Sequence, residues 1–192
     1  AAALFLAVFY KVFGASPWPV FWFQALLGAL TAVLCGHAAW KAWQDGPASV
    51  AAGLAAAVAW PFLYPAGQLL PKSLEMFLAA LAVWLLSGAE PPCGLRALAS
   101  GCALGAVCSL RPQLAPAGLL AAAALRFSWP RCSWKPALCF AVPVLGLSLA
   151  WGAYLCARGI PAFIQTRSGL NLYIANHPGA TGKAADYPGL EF

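Results

Sequence analysis

Apolar runs as long as a membrane is thick recur along this sequence. Residues 18–40, 48–69 and 136–157 contain no Asp, Glu, Lys or Arg. A helix rises about 1.5 Å per residue, so roughly 20 residues cross the hydrocarbon core of a bilayer. Of the 192 residues, 62% are hydrophobic and only 8% are charged, against about 25% in a soluble domain. The pattern therefore predicts an integral membrane protein.

The fold class predicted from these runs is all-α, a polytopic helical bundle with about five to six membrane helices. Pro61 and Pro65 are expected to kink the distal end of the second run. Lys72 and Glu75 lie within the first turns of the third predicted span. Besides the three charge-free runs, the predicted helices are residues 70–87, 97–110 and 114–125.

Two regions differ in composition. Residues 1–157 are predicted to form the membrane bundle, and residues 158–192, rich in Gly, Asn, Pro and Thr, to form a loop outside the membrane. The chain opens inside an apolar stretch with no basic segment or cleavage site before it. We therefore expect a partial bundle, with the rest of a longer protein beyond it.

Small residues at four-residue spacing form stripes on two predicted helices, where they favour close helix contact in lipid. One stripe is Gly28, Ala32 and Gly36, and the other is Ala97, Gly101, Gly105 and Ser109.

The 11 Lys and Arg residues are scattered singly, which argues against nucleic acid as a partner and favours membrane lipids. The short loop holding Arg126, Arg131 and Lys135 is predicted to be cytoplasmic. Alternation of the spans then puts Lys41 and Arg96 on the cytoplasmic side, and Lys72, Arg111 and the C-terminal loop on the outer side. The flipped topology is the alternative.

Cysteine and histidine usage favours packing over metal binding. There are seven Cys and no C-x-x-C pair. His37 lies on an apolar helix and is interpreted as a packing or interfacial residue. No metal site is predicted. Five Cys fall inside apolar runs and are predicted to pack between helices, namely Cys35, Cys102, Cys108, Cys139 and Cys156.

Charged residues inside apolar segments are the candidates for chemistry, because an ionisable group in a membrane costs about 2.5–3.5 kcal/mol on insertion scales. Glu75 lies three residues after Lys72, on the same helix face. The pair is either a local ion pair at the interface or part of a polar cavity in which Lys72 binds a phosphate. Arg111 either reaches the lipid headgroups or binds a phosphate.

Five segments follow one another in an informative order: YKVFGASP at 10–17, FQALLGALT at 23–31, LLPKSLEMFL at 69–78, GAVCSLRP at 105–112 and SGLNLYIANHPGATG at 168–182. Together they resemble the bacterial membrane glycosyltransferases of the GT-C fold. These are polyprenyl-phosphate-sugar-dependent enzymes related to the protein O-mannosyltransferases and to the lipid A aminoarabinose transferase. The loop G-x-N-x-x-x-x-N-x-P-x-A-x-G is the most specific part of the resemblance.

The resemblance implies a multi-pass protein of the bacterial inner membrane. It implies transfer of a sugar from a polyprenyl-phosphate carrier to a lipid, glycan or protein acceptor at the outer face. The family's catalytic base, an Asp in the first external loop, would lie upstream of residue 1, so this chain has no predicted catalytic residue. Lys72 and Arg111 would bind the donor phosphate, with Glu75 holding Lys72. A divalent cation in the complete enzyme is compatible with the family.

The loop after the last span offers neutral hydrogen-bonding groups suited to sugar hydroxyls. Asn171, Asn176 and His177 are therefore predicted to line the acceptor or sugar side of the cavity. Two other classes stay open, a polytopic transporter and a non-enzymatic membrane assembly subunit. No inverted repeat supports the transporter, and small-residue stripes alone would suit the assembly subunit.

Overall fold

A computed structural model describes residues 2–14, 16–59, 72–88, 92, 94–111, 114–128 and 134–159. All regular elements in these residues are α-helices, which confirms the all-α class. The helices are α1 (Ala2–Phe13), α2 (Trp18–Trp43), α3 (Gly46–Val58), α4 (Lys72–Leu86), α5 (Gly94–Leu110), α6 (Ala115–Ser128) and α7 (Lys135–Ala157). Contacts divide the chain into two units, Ala1–Ser148 and Leu149–Phe192.

Two of these helices, α2 and α7, are long and apolar enough to cross a membrane. Only 28% of the most apolar window of α2 and 17% of that of α7 are buried within the protein. The core helix of a soluble protein would be mostly buried, so this exposure fits contact with lipid. The remaining described helices have 12–17 residues, fewer than a standard span needs.

Helix positions agree with the sequence prediction in most places, but the second predicted span is wrong in its extent. The helix α3 ends at Val58, and Ala59 is already extended with ψ 122°. Pro61 supplies the reason: it has no N–H for the carbonyl of residue 57 and disfavours helical geometry at the residue before it. The predicted kink at Pro61 and Pro65 lies outside the described residues.

The helices α2 and α3 pack through small residues. A methyl group on Gly36 would lie 3.0 Å from the Ser49 carbonyl oxygen and 3.5 Å from the Gly53 Cα. The Ser49 hydroxyl donates a hydrogen bond of 2.8 Å to the Gly36 carbonyl. The predicted stripe is therefore confirmed at Gly36. Gly28 has no neighbour within 4 Å of its Cβ position, so the stripe does not extend to it.

The stripe on α5 faces α7 over several turns. A Cβ at Gly101 would overlap the backbone of Phe140, and one at Gly105 would lie 2.7 Å from the Pro143 carbonyl oxygen. One turn further, the Ser109 hydroxyl donates to the Leu147 carbonyl at 3.2 Å. The prediction of close helix contact is confirmed here, because only a missing side chain lets the two backbones approach so closely.

A small apolar cluster lies beside this contact, and α4 is attached to α5 by a buried hydrogen bond. The Ser100 hydroxyl donates to the Ala82 carbonyl at 2.9 Å. Cys108 packs in the cluster as predicted, whereas Cys102 and Cys156 lie on exposed helix faces, which corrects their predicted packing role. The buried members of the cluster are Ala97, Cys108, Ala122, Phe140 and Val144.

We predict that Gly101→Ala destabilises the protein by about 1–3 kcal/mol, the usual cost of overpacking. The added methyl meets backbone atoms of Phe140, which cannot rotate away as a flexible side chain can. Thermal unfolding of the purified protein in detergent measures the effect.

Gly28→Ala is the matched control, since a methyl there meets no atom within 4 Å. Ala has a higher helix propensity than Gly by roughly 0.5–1 kcal/mol, so the stability of this variant should be equal to that of the wild type or slightly higher. Equal unfolding temperatures for both variants would contradict the close contact between α5 and α7.

Candidate functional site

An ion pair joins the beginning of α4 to the end of α5. The Nε of Arg111 donates to the Oε2 of Glu75, 36 residues away in the sequence. The backbone positions the arginine, because its N–H still bonds the Val107 carbonyl at 2.7 Å, one residue beyond the end of α5. Glu75 lies in the first turn of α4.

Each charge lies at the helix end that stabilises it. The exposed N–H groups at the beginning of a helix favour an anion, and the free carbonyls at its end favour a cation. The Glu75 side chain is only 12% exposed, whereas that of Arg111 is 39% exposed. A carboxylate this buried needs its partner, because removing the arginine would leave it poorly solvated.

The sequence prediction that Glu75 holds Lys72 needs correction, because Glu75 pairs with Arg111 instead. Within one helix, a Lys that precedes a Glu is the less favourable order of the two charges. Lys72 is the first residue of α4 and is half-buried. The structure thus brings Glu75 and Arg111 together, with Lys72 three residues from the glutamate.

The arginine keeps donors for a further ligand. One of its five N–H donors serves Glu75, so among the described residues the four on the two Nη atoms remain for a planar, bidentate acceptor. With Lys72, the group carries a formal charge of +1. An anion with several oxygens, such as a phosphate, matches this arrangement.

A second polar group lies at the other end of α4 and was not identified as a site from the sequence. The Trp84 indole N–H donates to His37 Nδ1 at 3.0 Å. The Lys41 ammonium donates to the Trp84 carbonyl at 3.3 Å and lies 4.2 Å from the centre of the Trp84 ring. The sequence feature that could have indicated this group is the spacing of His37 and Lys41 by one helical turn. His37, interpreted from the sequence as a packing or interfacial residue, thus contacts Trp84 through both a hydrogen bond and its ring.

Lys41 and Arg96 line one cavity of about 210 Å³ beside this group. The two cations therefore lie at one end of α4, and Glu75 and Arg111 at the other. The 15 residues of α4 separate the two ends by about 22 Å.

The remaining predicted site residues, Asn171, Asn176 and His177, lie outside the described residues. Within the part of the chain that the structure describes, no three His, Cys, Asp or Glu side chains come together as metal ligands. Asp45 accepts the Ala48 N–H at 3.3 Å and caps α3.

Comparison with known proteins gives no match to a family model, a curated protein or a solved structure. The geometry above and the sequence motifs are therefore the basis for a function.

We predict that a double-mutant cycle with Glu75→Gln and Arg111→Gln gives a coupling free energy of about 1–2 kcal/mol, within the range for contacting charges. Solvent screening at the partly exposed Arg111 lowers this coupling free energy. Unfolding free energies of the two single variants and the double variant provide the measurement.

The control cycle pairs Glu75→Gln with Lys72→Gln, which should couple by less than about 0.5 kcal/mol. A stronger coupling to Lys72 than to Arg111 would restore the pairing predicted from sequence.

Proposed function

We propose that this chain belongs to a membrane glycosyltransferase that transfers a sugar from a polyprenyl-phosphate carrier to a lipid, glycan or protein acceptor at the outer face of the bacterial inner membrane. The observation that carries the proposal is the ion pair between Arg111 and Glu75, which joins the end of α5 to the beginning of α4, where Lys72 is the first residue. These residues come from two of the motifs on which the resemblance rests, LLPKSLEMFL and GAVCSLRP.

The chemistry of sugar transfer gives the cations a role. When the bond between the sugar and the carrier phosphate breaks, the leaving phosphate gains negative charge. Cations already fixed at this position stabilise the transition state more than the ground state, and so accelerate the chemical step. Glu75 positions Arg111 by fixing its Nε, and the Nη groups then face the phosphate oxygens. Lys72 contributes a second positive charge.

A multi-pass arrangement, with the shorter helices also in the membrane, is part of this proposal. Exposed apolar side chains support it, because water would disfavour them and lipid would not. On α3, Val50, Leu54 and Val58 are 62%, 61% and 72% exposed, and on α6, Leu120 is 73% exposed.

The catalytic base that the resemblance implies, an Asp in the first external loop, is not assigned to a residue of this chain. Asp45 is a poor substitute, since it caps α3 at the opposite end of the bundle from Arg111. Any divalent cation would belong to the complete enzyme. In the loop of residues 168–182, Asn171, Asn176 and His177 are proposed to bind hydroxyls of the sugar or acceptor.

We predict that Arg111→Ala in the complete enzyme lowers transfer by about 10²-fold or more, as loss of one charge-stabilising donor does elsewhere. Arg111→Lys should restore only part of the activity, since an ammonium lacks the bidentate geometry. Transfer from a polyprenyl-phosphate sugar in isolated membranes is the measurement.

Arg158→Ala is the matched control, because the contact described for this exposed arginine is with the Tyr154 ring, at 5.3 Å. It should keep near-normal transfer. Full activity in a Lys72→Ala, Arg111→Ala double variant that inserts normally would refute the phosphate assignment.

We predict that Asn176→Ala impairs transfer more than Thr181→Ala in the same assay. An amide side chain both donates and accepts, so its loss leaves sugar hydroxyls unpaired. Comparing kcat/KM for the acceptor in the two variants tests this. Equal and negligible effects of the two substitutions on transfer would indicate that the loop does not bind the sugar or the acceptor.

A further inference from the structure

The cavity at the far end of α4 is lined by the ends of three helices, which bring two positive charges together. The last turn of α2 contributes Lys41, the start of α5 contributes Arg96, and the end of α4 closes the space between them. Because Lys41 and Arg96 line the same cavity of about 210 Å³, their like charges repel each other. An anion between them would turn this repulsion into attraction.

No carboxylate in the described residues forms an ion pair with either cation. Asp45, next to the end of α2, uses its Oδ2 to cap α3. Glu90 lies outside the described residues. The positive charge on this cavity is thus uncompensated within the described part of the bundle.

The lysine is held ready for a ligand. Its ammonium is fixed by the Trp84 carbonyl and by the face of the Trp84 ring, and that ring is fixed by the hydrogen bond to His37. The contact with Trp84 leaves further N–H donors on the ammonium. Because the side chain is already ordered, binding an anion costs little additional conformational entropy.

An apolar groove of about 700 Å³ runs between α2 and α3 and reaches the same end of α2. Its wall includes His37, which lies one turn before Lys41 on the same helix face. Trp40 and Trp43, both exposed, mark this end of α2 as an interfacial position. Apolar members of its lining include Val33, Trp40, Val50 and Leu54.

We infer that Lys41 and Arg96 bind the phosphate of an anionic phospholipid, with an acyl chain of that lipid along the groove between α2 and α3. Basic pockets between membrane helices bind lipid headgroups in this way. The apolar groove favours a lipid over a free phosphate, because an acyl chain can be buried in it and a phosphate ion cannot. This site is distinct from the proposed donor site, since it lies at the opposite end of α4 from Arg111.

The test measures the unfolding temperature of the purified protein in neutral detergent, with added phosphatidylglycerol, phosphatidylcholine or inorganic phosphate. Phosphatidylglycerol should raise it more than phosphatidylcholine, and inorganic phosphate should have little effect. Lys41→Gln and Arg96→Gln should each weaken the apparent affinity for phosphatidylglycerol about fivefold, and together about 25-fold, if each cation contributes about 1 kcal/mol.

Each variant is compared with its own lipid-free sample, so a loss of intrinsic stability does not imitate a loss of binding. Lys11→Gln, on the exposed last turn of α1, is the control and should bind as the wild type does. Val50→Trp should fill the groove and weaken lipid binding, since Val50 is exposed and lines it.

Three results would overturn the inference: equal stabilisation by phosphatidylglycerol and phosphatidylcholine, undiminished affinity in the double variant, or inorganic phosphate acting as strongly as the lipid. Transfer activity is measured in parallel. If the Lys41 and Arg96 variants lose lipid binding but keep normal transfer, the lipid site is supported independently of the proposed function.

Discussion

The packing of α5 against α7 and α4 is the interaction on which the two polar ends of α4 depend. Gly101 and Gly105 let α7 approach so closely that no side chain fits between the two helices. The other face of α5 then meets α4, to which Ser100 donates a hydrogen bond. In lipid there is little hydrophobic drive between helices, so close van der Waals contact has to hold them together. Both polar ends of α4 depend on this arrangement, because α5 supplies Arg111 at one end and Arg96 at the other.

Much of this organisation follows from local sequence patterns. Helix positions are predictable because apolar runs and prolines affect the conformation of residues only a few positions away. The stripe from Ala97 to Ser109 correctly indicated a close helix contact. The predicted extent of the second span was wrong because the effect of Pro61 reaches back along the chain, so that the helix ends at Val58.

The sites were harder to predict because their partners are distant in sequence. Glu75 has Lys72 as a local neighbour, and that proximity suggested the wrong pair. Its true partner, Arg111, becomes a neighbour only when α4 and α5 pack side by side. The cavity with Lys41 and Arg96 needs three helices to exist at all, and no single segment indicates it. Charges at helix ends can be found from sequence, but their pairing is a property of the tertiary structure.

The unequal helix lengths have a consequence for the surrounding lipids. With 13 residues, α3 presents about 20 Å of helix, whereas the 26 residues of its neighbour α2 extend over about 39 Å. A bilayer whose thickness suits α2 is too thick for α3, and hydrophobic mismatch is relieved by tilting the long helix or thinning the membrane beside the short one. In the proposed multi-pass arrangement, lipid packing around this protein is therefore uneven, and membranes of different thickness should alter the tilt of α2.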